Sequence, residues 1–298
     1  MKYIFIINGR EDKRKLIEDE IKPQIEALDI KHEVYYTTGE GDATRFVRIY
    51  CDFHADEETC FVACGGNGTL NEIINGMVNV PNKSVAPMGY GAAGNFVKYF
   101  SGRNFRSVKD IVEGETMQSD LIKCNNDYSI NVANFGFDAM SAYYGDQYVQ
   151  SGKSKPYLRG TLRALLFSRF NNFRIVADGE RMSKGLTMFC AMANASQYGE
   201  DYIVAPEAKI DDGYIDVVVS RFCPLAVVGV IFNKFKDGTY VDSKFCRTFL
   251  KFKKARHLDI SCRNLIYLCL DGEITVGKRF SVDVVEHAIT LRLPKLAE

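Results

Sequence analysis

The chain carries no excess charge of either sign, no C-x-x-C pair, no long apolar run and only four histidines. The balance of 38 Lys+Arg against 38 Asp+Glu excludes a globally basic nucleic-acid binder, and no nucleic-acid motif is present. The longest apolar stretches, such as Pro224 to Phe232, fall far short of the roughly 20 residues that span a bilayer. Met1 to Ile7 runs straight into Asn8-Gly9-Arg10, without the longer apolar region and small-residue cleavage site of a signal peptide. It is expected to be a first strand, and the expected location is cytoplasmic. The nine cysteines are an odd number with no zinc-like spacing, and are expected to be reduced, buried small hydrophobes. His32, His54, His257 and His287 stand singly, near no Ser or Cys motif, and are expected to be structural or exposed.

What is present is an ordinary globular composition, 46% hydrophobic over 298 residues, enough for about two domains at roughly 150 residues each. Up to about residue 100, short β-branched or aromatic runs alternate with amphipathic stretches. Strands are expected at Tyr3–Ile7, Glu33–Thr37, Cys60–Cys64 and Ser84–Pro87, and helices at Asp12–Leu28, Asp42–Phe53 and Thr69–Val78. That alternation predicts a doubly wound parallel sheet. Pro23 is a place where the first helix could kink or split. From about Leu121 onward strand follows strand: Tyr128–Asn134, Phe173–Ala177, Leu186–Ala193, Tyr214–Ser220, Leu258–Cys262, Tyr267–Leu270, Phe280–Val285 and Ile289–Leu293. Helices are expected at Asp138–Val149, Tyr157–Ser168 and Leu225–Phe235. The texture predicts an α/β domain over 1–117, an antiparallel β-rich domain over 118–287, and a return of about 288–298 to the first.

Phe61-Val-Ala-Cys64 leads into Gly65-Gly66-Asn67-Gly68 and then a helical pattern with Leu70, Ile73, Ile74 and Met77 on one face. Thr69 and Glu72 have the spacing of a capping box, which would start the helix at Thr69. Three glycines in four residues let backbone amides approach a ligand at the positive end of a helix dipole, an arrangement suited to phosphate. A tight turn with no ligand is the alternative.

Gly65-Gly-Asn-Gly-Thr69, with Asn71-Glu72 and Asn75-Gly76, resembles the G-G-D-G-T-x-N-E…N-G segment of the diacylglycerol kinase catalytic domain superfamily. NAD kinases share the loop but not the residues after it. The resemblance runs along nearly the whole chain. Tyr35-Tyr-Thr37-Thr38 is similar to the family's second-strand end, where a threonine contacts nucleotide, and Asn8 to the asparagine of its N-P-x-x-G turn, with Gly9 in place of proline. Asp120, Asn131 and Phe135-Gly-Phe-Asp138-Ala139 resemble its D…N…G-F-D-A stretch. The resemblance implies an N-terminal NAD-kinase-like α/β domain, a C-terminal antiparallel β-sandwich and an active-site cleft between them. It also implies ATP and Mg²⁺ as cofactors, with transfer of the γ-phosphoryl to a lipid hydroxyl. Asn8, Thr37, Thr38, Gly65, Gly66, Asn67, Gly68, Thr69, Glu72, Gly89, Tyr90 and Gly91 would be the nucleotide site.

The late Asp271-Gly272-Glu273 resembles the family's D-G-E, which implies Asp271 as base and Glu273 as its orienting partner. A simple hairpin turn is the alternative, and Asp178-Gly179-Glu180 repeats the tripeptide where a turn is expected. A structural divalent site is implied at the Lys209 carbonyl, the Asp212 carboxylate and the Tyr214 carbonyl; a plain turn is again the alternative.

Two departures stand out. Asn67 replaces the loop aspartate, exchanging an anionic acceptor for an amide. Pro87-Met-Gly89-Tyr90-Gly91-Ala-Ala-Gly94-Asn95-Phe96 stands for P-x-G-T-x-N-D-F, with tyrosine in place of threonine. An active kinase, a kinase with another donor or acceptor, and a family fold without transfer are all compatible with these changes; an NAD kinase is the least favoured reading. For partners, the resemblance implies nucleotide and a lipid or other alcohol. Dimers occur in the bacterial family. Two basic runs interleaved with apolar residues, Lys153–Arg169 and Lys244–His257, suit either an anionic membrane surface or a solvated cationic face.

Overall fold

In a computed structural model, residues 1–9, 11–90, 96–168, 170–183, 185–198 and 202–296 are described. The chain divides into two compact units, residues 1–121 with 286–298, and residues 122–285.

The first unit is a parallel sheet with helices. Strands β1 (Lys2–Ile7), β2 (His32–Tyr36), β3 (Thr59–Gly65) and β4 (Lys83–Gly89) alternate with helices α1 (Glu11–Glu26), α2 (Asp42–Phe53) and α3 (Asn67–Met77), followed by α4 (Val108–Val112) and β5 (Glu115–Cys124), which ends in the second unit. Strands β1 and β3 are buried at every residue, as both-face coverage by helices requires. The order is β4-β3-β1-β2, all parallel, with Leu291 of the C-terminal segment paired to Val85 beyond β4. Helix α1 runs on through Pro23 without a break. Its Ile17, Ile21 and Ile25 pack on Tyr3, Phe5 and Ile7 together with Val108 and Ile111.

The second unit is antiparallel. It comprises β6 (Asp127–Ser129), β7 (Val132–Gly136), α5 (Phe137–Gln150), α6 (Pro156–Phe167), β8 (Arg174–Ala177), β9 (Glu180–Arg181), β10 (Thr187–Ala193), β11 (Gln197–Tyr198), β12 (Tyr202–Ile203), β13 (Ile215–Arg221), α7 (Leu225–Phe235), α8 (Lys244–Arg247), β14 (Leu250–Ala255), β15 (His257–Leu270) and β16 (Glu273–Leu293), which ends in the first unit. The order β14-β13-β10-β7-β15-β16 places β7 and β10 centrally, and both strands are buried at every residue. Ala133, Phe135, Cys190, Met192, Val217 and Val219 face a core with Phe173, Ile175, Leu258 and Ile260. Their neighbours Val132, Ala191, Ala193 and Val218 face a second core capped by Ala164, Val228, Ile231 and Phe235 from the helices.

Three expectations change. Tyr128–Asn134 is two strands, because Ile130, Asn131 and Val132 turn their amides to a side chain elsewhere. Leu258–Cys262 and Tyr267–Leu270 form one strand with a register shift between Ser261 and Ile266. Phe280–Val285 and Ile289–Leu293 are also one strand, which bends at His287 (φ 51°), whose amide donates to the buried Asp120 carboxylate at 2.8 Å.

Candidate active site

The parallel strands set the first group of candidate residues side by side. Ile7 pairs with Tyr36 and with Cys64, and Gly65 pairs with Gly89. The next residues along each strand, Asn8-Gly9, Thr37-Thr38, Gly66-Asn67 and Tyr90, therefore leave one carboxyl edge. The strand order reverses between β1 and β3, and such a switch point is where open α/β sheets hold ligands.

Gly9 comes so close to the second strand's end that a Cβ there would lie 1.8 Å from the Thr37 carbonyl oxygen. Its amide donates to Thr37 Oγ1 at 3.1 Å. Proline, which lacks that N–H, is thereby excluded from this position. Thr38 is held differently: its amide (2.8 Å) and hydroxyl (3.0 Å) both donate to Asp42 Oδ2, which also accepts from Tyr35. Burial alone would raise the Asp42 carboxyl, but the Thr38, Tyr35 and Arg45 donors outweigh it and hold the pKa below its ordinary value.

Helix α3 begins two residues earlier than the capping-box spacing predicts. Gly66 is the cap and Leu70 makes the first bond back to its carbonyl, at 3.1 Å. The amides of Gly66, Asn67, Gly68 and Thr69 thus precede the intrahelical ladder, and Gly66 has no side chain to accept from them. Thr69 leans back over Gly65, where a Cβ would meet its Oγ1 at 2.3 Å. Glu72 makes no capping box. Its Oε1 accepts from Gly41 N and its Oε2 from Ala43 N, each at 3.0 Å, so it caps α2 instead. With Asn67 uncharged and Glu72 turned to α2, the loop itself offers no carboxylate to a magnesium ion. Among the described residues, no three His, Cys, Asp or Glu side chains gather to hold a metal.

Tyr90 packs inward. It is 3% exposed, in the core with Cys64 and Met88, with the Arg106 guanidinium 4.8 Å from its ring centroid. Burial pushes its phenol well above the ordinary value. The tyrosine that replaces the expected threonine is thus a core residue, and its ring offers little surface to a nucleotide. Gly91 lies outside the described residues.

In the second unit, Asp271-Gly272 is a two-residue hairpin turn (φ 52° and 110°) between the paired Leu270 and Glu273. The buried Asp271 carboxylate accepts from Ile130 N (2.7 Å), Asn131 N (3.1 Å) and Val132 N (3.0 Å). Glu273 is exposed. Asp178-Gly179 is a turn on the same plan, with φ 47° and 78° and the Asp178 carboxylate on the amides of Arg256 and His257.

At the turn of the expected cation site, the Asp212 carboxylate has partners from its own chain. Lys254 Nζ lies 2.6 Å from Asp212 Oδ2 and 3.1 Å from Asp216 Oδ2. Tyr214 N donates to Asp212 Oδ1 at 3.1 Å, while Lys209 is exposed. Asp212, the one side chain of the expected set, is thus held by an ammonium and a backbone amide.

Residues 2–124 match the diacylglycerol kinase catalytic domain, and residues 131–292 match the YegS C-terminal NAD kinase beta sandwich-like domain. The chain belongs to the diacylglycerol kinase family. It is 30% identical over 277 residues to a diacylglycerol kinase of Staphylococcus aureus, covering 89% of this chain and 83% of the relative. Identity to a diacylglycerol kinase of Staphylococcus saprophyticus is 27% over 271 residues, covering 89% and 86%. The fold is shared with a diacylglycerol kinase of Bacillus anthracis, at a TM-score of 0.69 and 17% identity, covering 98% of this chain and 96% of that one. The family accounts for the mixed α/β and β-sandwich-like architecture and for the glycine loop.

Proposed function

We propose that this chain transfers the γ-phosphoryl group of ATP to the hydroxyl of a diacylglycerol-like lipid. The observation that carries the reading is the alignment of Asn8, Thr37, Gly65 and Gly89 on one carboxyl edge, with the start of α3 among them. The amides of Gly66 to Thr69 would hold phosphate oxygens. Magnesium would be held chiefly by those oxygens, since the loop offers no carboxylate. In the transfer, the lipid oxygen attacks the γ-phosphorus, ADP leaves and the hydroxyl proton passes to a carboxylate. Glu273 suits that role better than Asp271, because a proton on Asp271 would displace a backbone amide that it holds in place. The test is phosphate transfer from labelled ATP to diacylglycerol in mixed vesicles. Glu273→Gln should lose at least about 100-fold in turnover with an unchanged melting temperature; an unchanged rate would sink the assignment.

A second reading, a family fold that has lost transfer, is favoured by Asn67 and by the inward-packed Tyr90. Calorimetric titration with Mg²⁺ and ATP beside the transfer assay separates the two, because binding without transfer, or no binding, belongs to the second reading.

Helix α6 supplies the route to a lipid. Its only buried residues are Gly160 and Ala164, while Leu158, Leu162 and Leu166 form a row, each 55–59% exposed, and Phe167 is 75% exposed. Burying a leucine fully is worth about 1.5–3 kcal/mol, so a helix with glycine inward and leucine outward calls for an apolar partner. Exposed Lys153, Lys155, Arg159 and Arg163 beside the row suit anionic headgroups. In the other basic run two cations are engaged within the chain: Lys253 of edge strand β14 bonds Glu180 and the Ala177 carbonyl, and Lys254 bonds Asp212 and Asp216. No helix among the described residues is long and apolar enough to cross a membrane. Leu162→Glu with Leu166→Glu should abolish sedimentation with anionic vesicles; native-like sedimentation would remove α6 as the contact.

A further inference from the structure

We propose that Lys254 takes the place of the divalent cation at the 209–214 turn, so that this protein stabilises that turn with a cation of its own chain and needs no metal there. The inference does not rest on the phosphoryl-transfer reading.

The turn needs positive charge. Asp212 closes it by accepting from the Tyr214 amide, which leaves its second oxygen directed at Lys254. Two residues into β13, Asp216 adds another, partly buried carboxylate. Two carboxylates converging in a half-buried place repel each other unless a cation sits between them. The fold delivers that cation by register: Asp216 of β13 pairs directly with Lys254 of β14. The ammonium bonds both acids, at 2.6 and 3.1 Å.

Access does not explain the choice of lysine over metal. Asp216 and Lys254 line a cavity of about 300 Å³ shared with Glu207, Arg247 and Lys253. An ion can therefore reach the pair from water, but there it meets an ammonium already bonded to both carboxylates. The Asp212 carboxylate is also poorly available to Mg²⁺ or Ca²⁺, which take six or more oxygens, because one of its oxygens accepts from the Tyr214 amide and the other from Lys254.

The test is thermal melting of the full chain without nucleotide, in EDTA and in millimolar Ca²⁺ or Mg²⁺. A divalent ion bound at a hundred times its dissociation constant would raise the melting temperature by about 5–10 °C. The native protein should shift by less than about 1 °C, and Lys254→Arg should behave likewise. Lys254→Met, with two facing carboxylates and no ammonium, should melt about 5 °C lower in EDTA and recover when Ca²⁺ is added. If it fails to fold, Lys254→Gln carries the same comparison. A native shift of about 5 °C with Ca²⁺ or Mg²⁺ would overturn the inference, and so would a neutral variant that folds and gains no response to either ion.

Discussion

Asp178 and Asp271 do the same local task in two hairpins: each opens an Asp-Gly turn at φ near +50°, and each carboxylate clamps consecutive backbone amides. They differ in burial, Asp271 being 8% exposed and Asp178 open to water. Buried donors that lose their acceptor cost about 1–3 kcal/mol each, whereas exposed ones turn to solvent. Asp271→Ala should therefore lose about 2–4 kcal/mol of stability in a denaturant melt. Asp178→Ala should lose about 1 kcal/mol or less. Equal losses would show that the buried clamp is not what holds β7 to the hairpin.

Glu72 is placed to serve α2. Replacing it by alanine removes the acceptor of Gly41 and Ala43 and should cost about 1–2 kcal/mol, the scale of a lost N-cap. Nucleotide affinity should stay within about twofold. A large fall in affinity at unchanged stability, measured by calorimetry and melting together, would return Glu72 to the nucleotide site.

Asn67 is the first residue of α3. Asn67→Asp adds a negative charge at the positive helix end, worth about 0.3–1 kcal/mol in stability, and restores an anionic metal acceptor. Mg·ATP should bind several-fold more tightly, roughly 1 kcal/mol, while ATP in EDTA should bind more weakly because the new charge repels it. Weaker binding under both conditions would show that the loop does not use magnesium at this position.

His257 has its imidazole 2.7 Å from Asp283 and 3.4 Å from Asp259. The Asp283 hydrogen bond is the main cause that raises its pKa above 6.5. A raised histidine contributes stability that is fully present below its unfolded value and is lost as pH rises through its folded one. Melting temperature should fall from below pH about 6.5 to above the raised value. Asp283→Asn should flatten that part of the profile; an equally steep profile would place the titration elsewhere.

The parts of the fold carried by local pattern were legible. The alternation of Tyr3–Ile7 and Cys60–Cys64 with Asp42–Phe53 reads directly as a parallel sheet, and the Asp-Gly dipeptides read as turns. Less was legible where partners lie far apart in sequence. Asp271 receives amides about 140 residues away, and no local signal marks Ile130 to Val132 as its donors. Lys254 looked like part of a cationic surface until register set it opposite Asp216. Thr69 and Glu72 have capping-box spacing, but the glycine at 66 starts the helix earlier and frees Glu72 for α2. The small residues Gly160 and Ala164, four apart, were the available sign of which face of α6 turns inward.

That small face has a mechanical consequence. A Cβ on Gly160 would lie 2.5 Å from the Ser141 carbonyl oxygen and 2.6 Å from the Gly145 nitrogen, so α5 and α6 meet backbone to backbone. Contacts between bare backbones leave no side-chain rotamers to adjust, and the height of the Leu158–Leu162–Leu166 row above α5 is fixed like the teeth of a comb on a rigid spine. Whatever that row meets must adapt its own shape, because the row has little freedom to sink or rise.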